Sequence, residues 1–391
     1  MEFIPKEREQ VLLEKLTTIA HREYVLIRLT STMLKKSIID ASASIRTLLK
    51  SQDLVDYDRM IPGEDKIILK TKVLTSKLNE TKASFYRPKT KQGDPRFCVY
   101  NMRSYMRENE MFYMTVLNHE LIIIPLVESL FNLKLVTGLF DTDSELDIKK
   151  ELVKLLIDLK TKGPIKSVSP TRSNPKDIGE TLERELGILP NSSKLADFKS
   201  KVEIKAKRHG TGTKDTLFSM VPNWTISKIQ SANEMIRKYG YESKKYIGFQ
   251  DLYVTVHSKP NNQGLKLEVD EENGYLRQVF VDQKGEEYET CVWDLDQIKK
   301  RLYSKHPETV WVVGKEVFIN GEIYFIFDKV EYTRSPIFSS FLLLISQSQV
   351  TYDWRGRVKT DGTGYKDKGH CFRLNPKKRN LLFGETESIE M

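Results

Sequence analysis

Leu195-Ala-Asp-Phe-Lys-Ser-Lys-Val-Glu-Ile-Lys-Ala-Lys-Arg208 is the stretch on which the reading of this chain turns. Side chains of a strand alternate between its two faces, so Val202 and Ile204 are expected to enter a core while Glu203 and Lys205 emerge together on the other side. Asp197 stands six residues before Glu203. The Lys199-Ser200 step between them leaves room for a turn that folds a short preceding strand back and sets the two carboxylates side by side. Such a pair repels, and a hard divalent cation with oxygen ligands, magnesium or manganese, relieves the repulsion. Phosphodiester cleavage has these needs: the metal polarises the phosphate, and Lys205 orients a water or neutralises charge developing on the phosphoryl oxygens. Alone, D-x(n)-E-x-K is a weak pattern, because a chain with 30% charged residues produces it by chance and an ordinary edge strand with a Glu–Lys pair satisfies it.

The segment before this stretch, KTKGPIKSVSPTRSNP, is polar, contains three prolines and Gly163, and lacks periodicity. It predicts a boundary near residue 163, dividing the chain into an accessory domain, 1–162, and a second domain, 163–391; a length of 391 residues exceeds what one core usually serves. Asn174-Pro175-Lys176-Asp177 then reads as a helix start, with Asn174 as N-cap, Pro175 in the first helical position and Asp177 near the positive end of the dipole. The helix carries Ile178, Leu182 and Leu186 on one apolar face and stops at Gly187. Toward the N-terminus, residues about 9–50 read as helices, Lys66 to Ser76 as a strand, Arg87 to Tyr105 as a basic loop, His119 to Val127 as a buried strand and Leu146 to Lys160 as an amphipathic helix.

Composition bounds the rest. Apolar residues make up 39% of the chain, and its longest apolar runs, Leu121 to Val127 and Phe341 to Ile345, fall short of the roughly 20 residues a spanning helix needs. No membrane segment and no secretory leader is read, and a cytoplasmic protein is expected. Cys98, Cys291 and Cys371 are too scattered for a disulfide framework or a zinc site, and six histidines stand singly. Gly210-Thr-Gly-Thr-Lys214 lacks the form of a phosphate loop, so ATP is not expected as a partner. The net charge is +9, and it is concentrated: seven Lys/Arg against one Asp over 82–107, seven against two acids over 194–214, nine against two over 355–379. Three such clusters point to a polyanionic partner.

The run from Gly179 to Arg208, G-E-T-L-E-R-E-L-G-I-L-P-N, then D-F, then V-E-I-K-A-K-R, resembles the MvaI/BcnI family of restriction endonucleases and its relative MutH, the mismatch-repair nickase. The likeness continues through Asp215-Thr-Leu-Phe-Ser-Met, Pro222-Asn-Trp and Ile236-Arg-Lys-Tyr-Gly to Lys368-Gly-His-Cys-Phe-Arg-Leu374, and so spans most of residues 165–380. The resemblance implies an α/β fold: a PD-(D/E)XK nuclease core with a mixed sheet flanked by helices, here beside a smaller N-terminal α+β domain. It implies a sequence-specific endonuclease in which Asp197, Glu203 and Lys205 form the catalytic core, Glu183 is an additional active-site glutamate, and Asp197 and Glu203 hold Mg2+, with Mn2+ able to substitute. Alternatives are a MutH-like strand-nicking enzyme and a DNA-binding protein with a vestigial site. Double-stranded DNA is the expected partner, a monomer is compatible, and a restriction enzyme would have a separate cognate methyltransferase.

Arg355, Arg357, Lys368, His370 and Arg373, interleaved with Trp354, Tyr365 and Phe372 in a glycine-rich segment, are the expected base- and phosphate-contacting residues. Family members carry an HGT-like step where this chain has Lys368-Gly369-His370, so the resemblance leaves the recognition sequence open. Arg87 and Arg96, in the N-terminal basic cluster, are candidates for a second DNA contact.

Overall fold

The computed structural model describes residues 4–52, 54–140, 147–188, 195–199 and 201–390; Leu146, Pro190, Asn191, Lys194 and Ser200, drawn on above, lie outside them. The first part of the chain runs α1 (Glu7–Ala20), β1 (Val25–Arg28), α2 (Ser31–Lys36), β2 (Ile39–Asp40), α3 (Ala43–Ser51), β3 (Lys66–Leu74), β4 (Leu78–Tyr86), β5 (Arg96–Val99), α4 (Met102–Tyr105), β6 (Met111–Leu117), β7 (Glu120–Pro125) and α5 (Leu133–Phe140). Its strands form one seven-stranded sheet in the order β1-β6-β7-β3-β4-β5-β2, antiparallel except where β3 meets β7. The helical reading of 9–50 is therefore interrupted: the short apolar run Val25–Arg28 pairs with β6, and tertiary pairing overrides its local periodicity. The buried strand expected from His119 begins instead at Glu120, because Asn118 and His119 take left-handed backbone angles and turn β6 into β7. Strand β6 is buried along its whole length: Met111, Tyr113 and Leu117 enter one core while Phe112, Met114 and Val116 enter another on the opposite face.

The second part begins with α6 (Asp147–Thr161), β8 (Ile165–Lys166) and α7 (Asp177–Glu185). It continues with β9 (Val202–Arg208), β10 (Asp215–Ser219), α8 (Ala232–Tyr239), β11 (Tyr241–Glu242), β12 (Phe249–Val256), β13 (Leu265–Asp270), β14 (Tyr275–Val281) and β15 (Glu287–Asp294). It ends with α9 (Leu295–Lys305), β16 (Glu308–Ile319), β17 (Glu322–Thr333), α10 (Phe338–Ser346), β18 (Val350–Lys359), β19 (Lys366–Asp367), β20 (Cys371–Leu374), α11 (Arg379–Phe383) and β21 (Thr386–Ile389). The sheet that carries the quoted stretch is mixed: its order is β21-β17-β16-β9, and β9 runs parallel to β16. Helices α6 and α7 cover it, with Leu152, Leu156, Leu159, Ile178 and Leu182 buried against Val202, Ile204, Val310 and Phe325. Helix α6, read above as part of the N-terminal domain, thus packs on the sheet of the second part. A second sheet has the order β10-β20-β18-β12-β11, and β13-β14-β15 form a three-stranded meander.

One core joins the two parts. Leu12, Leu13 and Leu16 of α1 share it with Phe338 and Phe341 of α10 and with Leu381, Leu382 and Phe383 of α11. Glu23 supports this contact: its carboxylate accepts hydrogen bonds from Phe338 N (2.8 Å), Ser339 N (3.1 Å) and Ser339 Oγ (2.6 Å) at the start of α10, and from the Tyr303 hydroxyl on α9. These amides are ones the helix itself leaves without acceptors, and a carboxylate there also meets the positive end of the dipole. Among the described residues no helix is long and apolar enough to cross a membrane, and Cys98, Cys291 and Cys371 are free thiols.

Candidate active site

Helix α7 begins later than its sequence suggests. Asn174 and Pro175 form a preceding turn, and the buried Asp177 carboxylate accepts from Asn174 N at 2.8 Å before the helix starts at Asp177 itself. It ends as expected at Gly187, whose φ of +72° lets Ile188 N reach back to Glu183 O at 2.8 Å. Glu183 is thereby set in the last turn of the helix, over β9.

The turn before β9 forms as read. Phe198 bridges to Val202, Lys199 takes a left-handed φ of +50°, and Lys201 N donates to Phe198 O at 3.0 Å. Val202 and Ile204 lie in the core. Asp197, folded back beside the strand, accepts from Ile204 N through Oδ2 at 3.3 Å. Glu203 is fully buried and its Oε1 is bonded by Lys205 Nζ.

A residue that the sequence reading did not single out completes the arrangement. Lys305, the last residue of α9, brings its Nζ 2.8 Å from Asp197 Oδ1 and 2.8 Å from Glu203 Oε2. Toward Glu203 this is an ion-pair contact without hydrogen-bond alignment, and Oε2 is enclosed with no hydrogen-bond donor. Nothing local marks Lys305, which stands about a hundred residues from Glu203 in a lysine-rich helix; only the parallel pairing of β16 with β9 delivers it. Its neighbour His306 is a core residue. Burial pushes its ring down to about 3, so the ring is neutral, accepting from Thr309 Oγ1 (2.8 Å) and donating to Leu217 O (2.9 Å).

The charges in this cluster are unequal. Burial, with the Asp197 charge in support and Lys205 and Lys305 opposing, pushes the Glu203 carboxyl up to about 7. Burial also works against Asp197, but the Lys305 hydrogen bond and the Lys205 charge outweigh it and hold Asp197 below the usual carboxylate range. Glu183, half-buried, is raised by burial and then by the charge of Asp197. Lys305 is raised by the carboxylates it bridges, against the effect of its own burial.

This set fits a hard divalent cation. The donors are all carboxylate oxygens, Glu203 Oε2 has no hydrogen-bond donor, and an ammonium already sits where Asp197 and Glu203 converge. Among the described residues no third His, Cys, Asp or Glu closes a cage around them, which suits magnesium, a cation that keeps several waters and takes one or two carboxylates. A test follows from Glu203. Below about pH 7 it holds a proton that a cation must displace, so apparent Mn2+ affinity, measured by calorimetry, is expected to rise with pH, up to about tenfold per unit, and to level off above pH 7. A flat profile from pH 5.5 to 7.5 would remove Glu203 from the metal site.

The predicted nucleic-acid contacts fall into distinct groups. Strand β18 turns Tyr352, Trp354 and Val358 into the core and presents Asp353, Arg355 and Arg357 on the other face. Trp354 and Phe372 are fully buried, so the aromatics interleaved with the basic residues pack the sheet. Arg373 braces the face, donating to Asp353 Oδ2 at 3.0 Å and to Lys214 O at 2.6 Å. Lys368 is exposed. His370 is buried with both nitrogens engaged: Nδ1 accepts from Arg355 N at 2.9 Å and Nε2 meets the Tyr365 hydroxyl at 3.2 Å. In place of a free base-reading group it fixes the backbone of Arg355. Lys207, two residues beyond Lys205 on the same face of β9, reaches Asp215 at 3.2 Å, so β9 connects directly to the first strand of the sheet that carries Arg355. In the N-terminal sheet, Arg87 donates to Gly93 O (2.7 Å) and Tyr57 O (3.4 Å), and Arg96 pairs with Asp40 at 3.1 Å. Both arginines tie loops to that sheet.

The fold places the chain in the class of restriction-type nucleases. A structure of the restriction endonuclease MvaI with its cognate DNA substrate superposes at a TM-score of 0.55 and 21% identity, covering 63% of this chain and 100% of that one. MvaI without DNA gives 0.40 and 20% identity over the same shares. The chain belongs to the MvaI/BcnI restriction endonuclease family, whose model matches residues 153–383 and leaves the seven-stranded sheet unmatched. A search of curated proteins found no match. The expected α/β nuclease fold and restriction-type deoxyribonuclease class are thus as read from the residues, with α6 inside the matched region.

Proposed function

We propose that the protein is a Mg2+-dependent, sequence-specific endonuclease that cuts both strands of duplex DNA at the cluster formed by Asp197, Glu203, Lys205 and Glu183. The observation that carries this reading is the convergence of two carboxylates and two lysine ammoniums on one point, from α9 and from either side of the turn before β9. Asp197 and Glu203 are the residues to hold Mg2+, with Mn2+ able to substitute. A bound divalent cation supplies charge neutralisation and Lewis acidity to the scissile phosphate. Lys205 then has two tasks: it keeps the buried Glu203 ionised, and its ammonium, 27% exposed, faces the position of an incoming phosphate. Lys305 balances the carboxylates until a cation arrives, and afterwards is a second donor for phosphoryl oxygens. Glu183, with its proton affinity raised, is placed to accept a proton from an attacking water. Arg355, Arg357 and Lys368 provide the DNA contacts, while Arg373 and His370 shape the surface on which they stand.

We place the accessory unit in the seven-stranded sheet and assign α6 to the nuclease unit. A cell using this enzyme needs a separate methyltransferase to protect its own sites. Incubation with supercoiled plasmid and Mg2+ tests the reading: linear product is expected, nicked circle would indicate a strand-nicking enzyme, and unchanged plasmid would overturn nuclease activity altogether. Sequencing the cut ends then gives the site.

A further inference from the structure

Strands β12 and β18 pair in strict register, with Phe249 opposite Lys359, Asp251 opposite Arg357 and Tyr253 opposite Arg355. Arg357 is held in a way its neighbours are not. Its guanidinium carbon lies 3.5 Å from the centre of the Tyr246 ring and 5.7 Å from that of Phe249. Those two rings meet edge-on at 6.1 Å. The loop bearing Tyr246 is pinned along its length: Ser243 N donates to Phe249 O (2.8 Å), Phe249 N to Tyr246 O (3.1 Å), Tyr246 N to Ser243 Oγ (3.1 Å) and Thr360 N to Gly248 O (3.0 Å). An arginine laid on a fixed aromatic platform has the plane of its fork fixed as well, so little freedom remains to be lost when it binds.

Two atoms beside this platform lack partners. Arg357 Nε is enclosed with no acceptor, and Asp251 Oδ1, on the residue directly across the strand pair, is enclosed with no donor. Among the described residues the two side chains form no ion pair with each other. Leaving one buried polar group unbonded is costly, and two neighbours with opposite demands suit a ligand that offers an acceptor and a donor side by side. In the major groove a G·C pair does so: guanine presents N7 and O6 as acceptors, and the paired cytosine presents the N4 amine as donor.

We propose that Arg357 and Asp251 together read one G·C base pair, Arg357 donating to guanine and Asp251 accepting from the cytosine amine, with Tyr246 and Phe249 as positioning residues that hold the fork. The inference rests on the DNA-cleaving reading above and names the base pair that one part of its surface selects. The experiment is selection of bound duplexes from a randomised pool in metal-free buffer, where nothing is cut. Wild-type protein is expected to enrich a consensus. Arg357→Ala and Asp251→Ala are expected each to lose about tenfold to a hundredfold of the preference at one and the same G·C position. Arg357→Lys, which keeps the charge without the fork, relaxes that position while binding the pool. Tyr246→Ala loosens it, and Tyr246→Phe restores it, an outcome that a general weakening of the fold would not produce. A consensus that stays unchanged in these variants, or losses that fall at different positions or evenly over all, overturns the inference and leaves the nuclease reading standing. Wild-type protein that enriches no sequence overturns both.

Discussion

Asp197→Ala and Lys205→Ala are each expected to lose cleavage by about 10²–10³ or more while still retarding duplex DNA in a gel without magnesium. Asp197 and Lys205 differ in what they do, yet both act on the transition state and supply little ground-state affinity, which comes from phosphate contacts elsewhere on the surface. Asp197→Ala removes one of the two carboxylates that converge on Lys305, so the cation site loses half its charge and Lys305 is left with Glu203 alone. It also removes a negative charge from the place where a phosphate must sit, so binding is expected to stay equal or tighten. Lys205→Ala leaves Glu203 buried with Lys305 as its remaining printed ion-pair partner, and its carboxyl is expected to rise further. Wild-type cutting rates in either variant would show that the nuclease centre lies elsewhere and that this cluster is structural.

Leu16→Ala is expected to cost about 2–5 kcal/mol and to do so for the whole chain at once. Leu16 is wholly buried in a core whose other members come from α10 and α11, at the far end of the sequence. If that core couples the two parts, chemical denaturation followed by tryptophan fluorescence will report one transition that shifts as a unit. All four tryptophans, at 224, 293, 311 and 354, lie in the second part, so a shift on mutating α1 has no local origin. Two transitions, with the tryptophan signal unmoved, would mean that the parts fold independently.

The catalytic strand was legible because its information is local. The alternation of Val202 and Ile204 against Glu203 and Lys205 sets faces within seven residues, and Asp197 is one turn away. Gly187 likewise announces its helix end without help from the fold. What could not be read is carried by long-range pairing. Lys305 reaches the site only because β16 docks parallel to β9. Strand β1 was lost in a helical reading because four residues hold too little periodicity to outweigh their surroundings, and β6 supplies the pairing that makes them a strand. In the basic segment 355–379 the residue types were legible but their faces were not fully used: the same period of two that served β9 puts Trp354 inside and Arg355 outside. His370 shows the complementary limit, since no pattern in Lys368-Gly369-His370 distinguishes a ring that meets DNA from one that caps a neighbouring amide.

Nuclease chains are often treated as portable cutting heads to which other recognition units can be spliced. Glu23 argues against such a transplant here. One carboxylate from the N-terminal part accepts hydrogen bonds from two amides and a hydroxyl of α10 and from Tyr303, two residues before Lys305. A chimera that kept only the family-matched region would leave the start of α10 without its cap, Tyr303 without its acceptor, and the apolar faces of α10 and α11 open to solvent. Grafts built from this enzyme should therefore carry α1 and the Glu23 segment with the cutting unit, and place the seam beyond them.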